Sequence, residues 1–233
     1  MGLKKYSCLL FDLDHTLWDF ESNSEEILQE LFHKHGLQSR GVTSFNYFYE
    51  TFVRVNTKLW DLHDRNLIGT EEIRTQRFHK VFGEAGLDDH SLSLQFSSEF
   101  LRELPTRKNL LPHAHETLRY LHERYPMAVV TNGFDELQAA KMISGGIHHY
   151  FKKIITSQRA GNKKPSKEIF EFALAELGHK AHEAVMIGDN LQTDMGGARG
   201  AGIDTVYFNP SGGPHAESVT YEIKSLKELQ TLL

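Results

Sequence analysis

The chain has 233 residues, of which 39% are hydrophobic, and a formal net charge of −5 at pH 7. This length fits one domain with an insertion or two modest domains, and the acidic balance gives no electrostatic reason to expect binding to a nucleic-acid polymer. A single cysteine, Cys8, excludes an intramolecular disulfide. Because no stretch approaches ~20 apolar residues, we expect a cytoplasmic protein that does not interact with membranes.

Two carboxylates follow an apolar run near the start of the chain, in the sequence Leu9-Leu10-Phe11-Asp12-Leu13-Asp14. The apolar residues predict a short buried strand, too brief for a helix. Asp12 and Asp14 then leave the strand at the edge where parallel α/β sheets bind their ligands. Neighbouring carboxylates repel each other unless a cation neutralises them, and oxygen ligands favour Mg2+. The alternative is a polar turn after a strand, which this short motif alone does not exclude.

The segment 19–105 lacks strand signals and shows the pattern of four amphipathic helices. It is longer than a strand-helix-strand crossover requires, so we expect an inserted helical cap domain at 19–105 and a core domain formed by 1–18 and 106–233. An ordinary layer of packed helices is the alternative. The first predicted helix begins at Ser22 or Ser24 and ends near His35, and the second runs from the cap residue Ser44 to about Asp64. The third runs from the cap residue Thr70 to near Gly83, and the fourth spans Ser91 to Leu104, before Pro105.

Strands alternate with helices from Asn109 onward, which predicts a parallel α/β sheet. The fold class that follows is a Rossmann-like, doubly wound parallel sheet with an inserted four-helix cap. The predicted strands are Met127–Thr131, Ile154–Ser157, Ala184–Ile187 and Thr205–Phe208, and the predicted helices lie at 115–124, 135–143, 167–177 and from about 225 onward.

Polar residues recur where the predicted strands end, on the edge that already holds Asp12. Each group alone is an ordinary turn or helix start, but four groups in order at successive strand ends indicate one site. They can bind a phosphate through a hydroxyl and backbone N–H groups, balance its charge with a lysine, and add carboxylates for a cation. The three later groups are Thr131-Asn132-Gly133, Lys164-Pro165, and Gly188-Asp189-Asn190 with Asp194.

Together with Asp12-Leu13-Asp14-His15-Thr16, these groups resemble the four motifs of the haloacid dehalogenase (HAD) superfamily of phosphatases with a helical cap. The similarity covers essentially the whole chain. In finer detail, the sequence resembles the non-canonical pyrimidine nucleotidases, the YjjG/YfnB-like 5′-nucleotidases. The residues of this closer resemblance are Leu59-Trp60, Arg77-Phe78, Thr131-Asn132-Gly133-Phe134 with Leu137-Gln138, and Lys164-Pro165 with Ile169-Phe170.

The resemblance implies a Mg2+-dependent phosphomonoester hydrolase that acts through an aspartyl-phosphate. On this resemblance, Asp12 would be the nucleophile and Asp14 the general acid and base. Thr131, Asn132 and Lys164 would bind the phosphoryl group. Mg2+ would be held by Asp12, the backbone carbonyl of Asp14 and Asp189, and Asp194 would orient this metal site. The expected substrates are small phosphate esters, most of all pyrimidine nucleoside monophosphates such as dUMP, UMP and dTMP.

Other functions share part of this pattern. A dehalogenase uses the first aspartate but does not need the second, so Asp14 argues against it. A phosphatase or phosphomutase acting on a small sugar phosphate or phosphoglycolate shares every core motif. A phospho-acceptor signalling module is a protein of a different class, but it needs no large helical insertion, and its acceptor usually follows a middle strand.

Overall fold

The structure, a computed structural model, describes residues 6–233. It divides into a core unit, formed by the described residues up to Phe20 together with Lys108–Leu233, and a cap unit, Glu21–Arg107. Residues 1–5 of the predicted core segment lie outside the described residues. Over the described part of the chain, no helix has both the length and the apolar character that a membrane span requires.

The core unit is built on a six-stranded sheet in the order β3-β2-β1-β4-β5-β6, and every neighbouring pair is parallel. The central strands are fully buried and apolar except for Thr131 at the end of β2, as expected for strands covered on both faces. In the register of the sheet, Leu10 lies between Ala128 and Met186. The strands are β1 Cys8–Phe11, β2 Met127–Thr131, β3 Lys153–Thr156, β4 Ala184–Gly188, β5 Asp204–Phe208 and β6 Tyr221–Ile223.

The strand order reverses direction at β1. From β1 the chain moves outward to β2 and β3, and it then returns to place β4 on the other side of β1. Ligands of open α/β sheets bind at such a reversal, beyond the carboxyl ends of the strands. The order therefore places the ends of β1 and β4, which carry Asp12 and Asp189, where a site is expected.

The cap unit consists mainly of four long helices, and the second begins after Ser44, as predicted. The side chain of Ser44 accepts a hydrogen bond from the Tyr47 backbone N–H at 3.2 Å, which caps its N-terminus. Packed phenylalanine rings, together with the buried residues Arg77 and Phe78, fill the centre of the unit. The helices are α1 Phe20–Lys34, α2 Phe45–Asp64, α3 Thr70–Glu84 and α4 His90–Glu103, with 3-10 turns at Gln38–Arg40 and Leu104–Thr106.

Several predicted helix starts in this segment are wrong. Helix α1 begins at Phe20, so Ser22 and Ser24 lie within it and do not cap it. Helix α3 begins at Thr70 with Gly69 at the cap position, where the Gly69 N–H donates to the Glu72 carboxylate at 3.1 Å. Helix α4 begins one residue early because Asp89 caps it by accepting from the Leu92 N–H at 2.9 Å. The fold class, a doubly wound parallel sheet with a four-helix insertion, is confirmed.

Helices of the core unit connect its strands. The helix Asp135–Ser144, α6, is important for the site because only the short loop 132–134 separates it from β2. The helices are α5 Ala114–His122, α6 Asp135–Ser144, α7 Ser157–Ala160, α8 Lys167–Leu177, α9 Gly197–Gly200 and α10 Leu229–Leu232, with a π-helical turn at Leu191–Gly196 and 3-10 turns at His148–Tyr150, Ala181–Glu183 and Leu226–Glu228.

Candidate active site

Lys164 lies at the centre of the polar residues that follow the strands. Its ammonium Nζ is 2.6 Å from Oδ1 of Asp12 and 2.7 Å from Oδ1 of Asp194. All three residues are buried, with Lys164 only 2% exposed. The structure therefore brings together side chains from the end of β1, from the π-helical turn that follows β4 and from the loop before α8.

The loop that carries Lys164 is held by Asn132. The Asn132 side-chain amide donates to the Lys164 carbonyl at 2.9 Å, and its oxygen accepts from the Lys164 backbone N–H at 2.8 Å. Beside it, the hydroxyl of Thr131 accepts from the Gly133 N–H at 3.0 Å. The Asn132 side chain thus fixes the backbone of the lysine loop, a task that its place after β2 did not indicate.

Asp12, Asp189 and Asp194 form an acidic cluster, in which one carboxylate oxygen from each lies within 4.8 Å of the others. The hydroxyl of Thr16 donates to Oδ1 of Asp189 at 2.9 Å and so orients that carboxylate. Asp194 is held on its other side, because its Oδ2 accepts from the Asn190 N–H at 3.1 Å. Sequence reasoning included Thr16 in the first motif but assigned it no task.

The electrostatics of the cluster leave negative charge that Lys164 does not fully balance. Burial, with the neighbouring Asp194 and Asp14, raises the pKa of Asp12 to about 7 even though Lys164 beside it acts in the opposite direction. Burial and the charge of Asp12 raise the pKa of Asp189 to about 6, and burial also raises the pKa of Asp194. Burial would lower the pKa of Lys164, but the charges of Asp12 and Asp194 outweigh it and raise that pKa.

This donor set fits a hard divalent cation. It consists only of oxygen atoms, it is partly buried, and its charge exceeds that of the one lysine inside it. Asp14 is not part of the cluster, since its carboxylate lies against the ammonium of Lys141 at 2.7 Å. Any contribution of Asp14 to a metal site would therefore come from its backbone carbonyl, as the resemblance implies.

Two aromatic residues behind the first motif, Trp18 and Phe20, are buried, at 0% and 8% exposure. The Nζ of Lys141 lies 4.7 Å from the centre of the Trp18 ring and 5.9 Å from that of Phe20. Lys141 was missed by sequence reasoning. Its only signal is a basic residue on the helix that follows Thr131-Asn132, which is also typical of an ordinary solvated lysine.

Comparison with known proteins gives sequence matches over most of the chain. The sequence profile of the haloacid dehalogenase-like hydrolases matches residues 6–202. The chain is 31% identical to the pyrimidine 5′-nucleotidase PynA of Streptococcus pneumoniae over 96% of this chain and 93% of that protein. It is 28% identical to the pyrimidine 5′-nucleotidase YjjG of Escherichia coli over 98% of both chains.

A solved structure agrees with the sequence matches. The crystal structure of the HAD-hydrolase YfnB of Bacillus subtilis, bound to magnesium, superposes with a TM-score of 0.88 at 27% identity. The match covers 98% of this chain and 99% of that one. The similarity therefore extends through both units of the chain and is not confined to the motifs.

Proposed function

Because the chain belongs to the haloacid dehalogenase-like hydrolases, we propose that it is a magnesium-dependent phosphatase that forms an aspartyl-phosphate on Asp12. The enzyme class itself is confirmed, since the named relatives PynA and YjjG are phosphoric monoester hydrolases. The observation that carries the mechanism is the position of Lys164 between Asp12 and Asp194, within an acidic cluster completed by Asp189.

Asp12 is the nucleophile of the proposed reaction. One of its carboxylate oxygens attacks phosphorus, and the bond between phosphorus and the ester oxygen breaks. Lys164, 2.6 Å from Oδ1 of Asp12, orients the nucleophile and offsets the charge of the phosphoryl group that approaches it. Thr131 and the backbone of Asn132, at the end of β2, bind the remaining phosphoryl oxygens.

Asp14 is the general acid and base. It gives a proton to the departing ester oxygen, and it then takes a proton from the water that attacks the aspartyl-phosphate. The second attack breaks the bond between phosphorus and Asp12 and releases inorganic phosphate, which restores both carboxyl groups. With 21% of its side chain exposed, Asp14 is accessible to such a water.

Asp12, Asp189 and the backbone carbonyl of Asp14 would hold Mg2+, and Asp194 would fix the arrangement from behind through Lys164 and Asn190. The ion, when bound, supplies positive charge that stabilises the transferring phosphoryl group. Support for Mg2+ comes from the all-oxygen donor set and from the magnesium-bound structure of YfnB.

The substrates we propose are pyrimidine nucleoside monophosphates, including dUMP, UMP and dTMP. Support comes from PynA and YjjG, which are pyrimidine 5′-nucleotidases and match almost the entire chain. Sugar phosphates and phosphoglycolate are the competing substrates, since they would use the same core residues.

The test is phosphate release from matched pairs, UMP with AMP and dUMP with dAMP, beside a sugar phosphate and phosphoglycolate. We expect pyrimidine nucleotides to give the highest kcat/KM, and we expect chelation of divalent ions to stop release. A preference for a sugar phosphate would retain the chemistry and remove the nucleotidase proposal. Absence of release from every ester would contradict the phosphatase proposal itself.

A labelled substrate tests the covalent intermediate. Acid quenching with phosphorus-32 substrate is expected to leave a hydroxylamine-sensitive label on the wild type and none on Asp12→Asn. The matched control is Asp61→Asn, the same change at a carboxylate whose side chain is 55% exposed on α2. A label that persists in Asp12→Asn would contradict the assignment of the nucleophile.

A further inference from the structure

Lys141 is a buried lysine that belongs to none of the four motif groups. It lies on α6, it is 3% exposed, and its Nζ is 2.7 Å from Oδ1 and 2.9 Å from Oδ2 of Asp14. Both oxygens of the proposed general acid and base are thus bound by a single ammonium group. Placing a lysine in a protein interior is costly unless it is well paired, so a stably buried pair at this position requires an explanation.

The aromatic residues around Lys141 hold its ammonium in place. The centre of the Trp18 ring is 4.7 Å away, a distance typical of a cation–π contact, and Phe20 lies on another side at 5.9 Å. Trp18 is itself fixed beside Asp14 by a tight turn, in which its N–H donates to the Leu13 carbonyl at 2.9 Å and its carbonyl accepts from the His15 N–H at 3.0 Å. The ammonium has therefore little room to move.

We infer that Lys141 is a positioning residue for Asp14, and this inference rests on the proposed function. A carboxylate that is bound through both oxygens cannot rotate freely about its side-chain bonds. A general acid and base must lie within hydrogen-bond reach of the ester oxygen and of the attacking water. Lys141 keeps the Asp14 carboxylate at one place on the edge of the site, with its remaining exposed side toward solvent.

Lys141 acts through Asp14 and not on the substrate. The Lys141 side chain is 4% exposed, against 21% for Asp14, so the carboxylate is the accessible member of the pair. The ammonium already contacts two carboxylate oxygens and two ring faces. Its removal should consequently have the same effect as a misplaced Asp14, and no effect where Asp14 no longer acts.

A double-mutant cycle measures this coupling, with Lys141→Met, Asp14→Asn and the double variant in the full-length protein with Mg2+. We expect Lys141→Met to lower kcat/KM for dUMP by about 10- to 100-fold, since a small misplacement of a catalytic group has effects of that size. In the Asp14→Asn background, the same change should lower kcat/KM by less than about 2-fold. A full further loss in that background would show that Lys141 acts independently of Asp14 and would overturn the inference.

The leaving group gives a second readout that a merely structural role would not change. The ester oxygen of p-nitrophenyl phosphate departs with little help from an acid, whereas that of a nucleotide needs a proton. The kcat/KM ratio of p-nitrophenyl phosphate to dUMP should therefore increase in Lys141→Met. Equal losses on both substrates would contradict a positioning role and indicate only a damaged fold.

Two further variants keep the test decisive. Lys141→Gln retains a polar group of similar length, so it serves if the methionine variant does not fold, and the same results are expected from it. Lys153→Met is the matched control, because it removes an exposed lysine that pairs with Glu176 at 2.8 Å, and it should leave kcat/KM unchanged. If the wild type releases no phosphate from any ester, the proposed function fails. If it does release phosphate but the Lys141 variants match it, only the positioning role fails.

Discussion

At the scale of residues, Lys164 lies among three carboxylates, of which Asp12 and Asp194 are buried and Asp189 is half-buried. The Lys164 ammonium pairs with Asp12 and Asp194, whereas Asp189 accepts a hydrogen bond from the Thr16 hydroxyl. Groups of like charge in a buried place destabilise the folded protein unless another cation is bound. The three carboxylates therefore repel one another, and a divalent ion that binds between them reduces this repulsion.

Gly188 allows Asp194 to take its position. A Cβ atom on Gly188 would lie 2.3 Å from Oδ2 and 2.6 Å from Cγ of Asp194. We expect Gly188→Ala to displace the Asp194 carboxylate from Lys164 and to lower kcat/KM for the preferred ester by about 10²-fold, the size associated with a misplacement near 1 Å. Steady-state phosphate release is the measurement.

Gly83→Ala is the control for this substitution. A Cβ atom on Gly83 meets nothing within 4 Å, and the residue lies in the last turn of α3. This variant should retain full activity and gain less than about 1 kcal/mol of stability, because alanine has a higher helix propensity than glycine. If Gly188→Ala retained wild-type kcat/KM, the close approach to Asp194 would have no catalytic importance.

At the scale of elements, Glu99 connects α4 to the end of α1 within the cap unit. Its Oε2 accepts from Lys34 at 2.9 Å and lies 3.0 Å from Nε2 of His35, and its Oε1 accepts from Gln95 at 2.9 Å. Burial alone would raise the pKa of Glu99, but these three donors outweigh it and lower the pKa to about 2. The ionised form is therefore stabilised in the folded protein.

This contact predicts a pH-dependent contribution to stability. The pKa of Glu99 is lower in the folded than in the unfolded chain, so its contribution is fully present above about pH 4.5 and is lost as the pH falls toward 2. Glu99→Gln should lower the free energy of unfolding by about 1–3 kcal/mol at pH 7. The difference from wild type should shrink steadily below pH 4.5.

Urea unfolding at pH 7, 4.5 and 3.5 measures this difference. The control is Glu103→Gln on the same helix, which removes a carboxylate that pairs with the exposed Arg102 at 3.0 Å. Surface pairs contribute little, so this variant should follow the wild type at every pH. A Glu99→Gln difference that did not change with pH would contradict the role of the carboxylate charge.

The elements also show how far the sequence alone leads. Strand β2 and helix α8 were predicted with their observed bounds. An apolar run marks β2 in the sequence, and Ser166 and Gly178 flank α8. Strand β6, Tyr221–Ile223, was not predicted, since three residues carry no periodicity and the strand exists only through pairing with β5. The start of α1 was misplaced because bridges from Trp18 to Asp14 and Leu110 direct the chain there.

In the candidate active site too, the sequence alone predicts some residues and not others. Asp12 and Asp189 could be predicted because each directly follows a strand, and the strand ends meet at one edge of a parallel sheet. Lys164 was expected after β3, but α7 lies between that strand and the lysine. The pairing of Lys141 with Asp14 could not be predicted, since it joins residues on different elements and depends on how α6 turns toward the first motif. Predictions from strand ends do not extend to contacts made by helix faces.

At the scale of the whole molecule, metal binding should raise the free energy of unfolding. Saturation of a site at about 100 times its Kd adds about 2.7 kcal/mol, which for a chain of this size corresponds to a rise in Tm of about 5–10 °C. We expect Mg2+ to raise the Tm of the wild type and to have little effect on Asp189→Asn. Thermal unfolding followed by circular dichroism measures both.

The same thermal unfolding experiment tests whether the three carboxylates of the acidic cluster repel one another. Without metal, Asp189→Asn should melt at a higher temperature than the wild type, because it removes one of three neighbouring carboxylates. An equal Mg2+ response in the two proteins would place the ion elsewhere. A lower Tm of the metal-free variant would show that the cluster is not repulsive.

The place of β1 in the sheet also affects how the protein is made. This strand is synthesised before the other five strands of the sheet, and its two neighbours begin at Met127 and Ala184, after the cap unit has been synthesised. The cap unit is continuous in sequence, so its helices can pack as they emerge. During that time β1 remains an apolar strand with two open edges, which is a template for association with other chains. Nascent chains that stall before Gly188 should therefore be the ones that aggregate or that need chaperones.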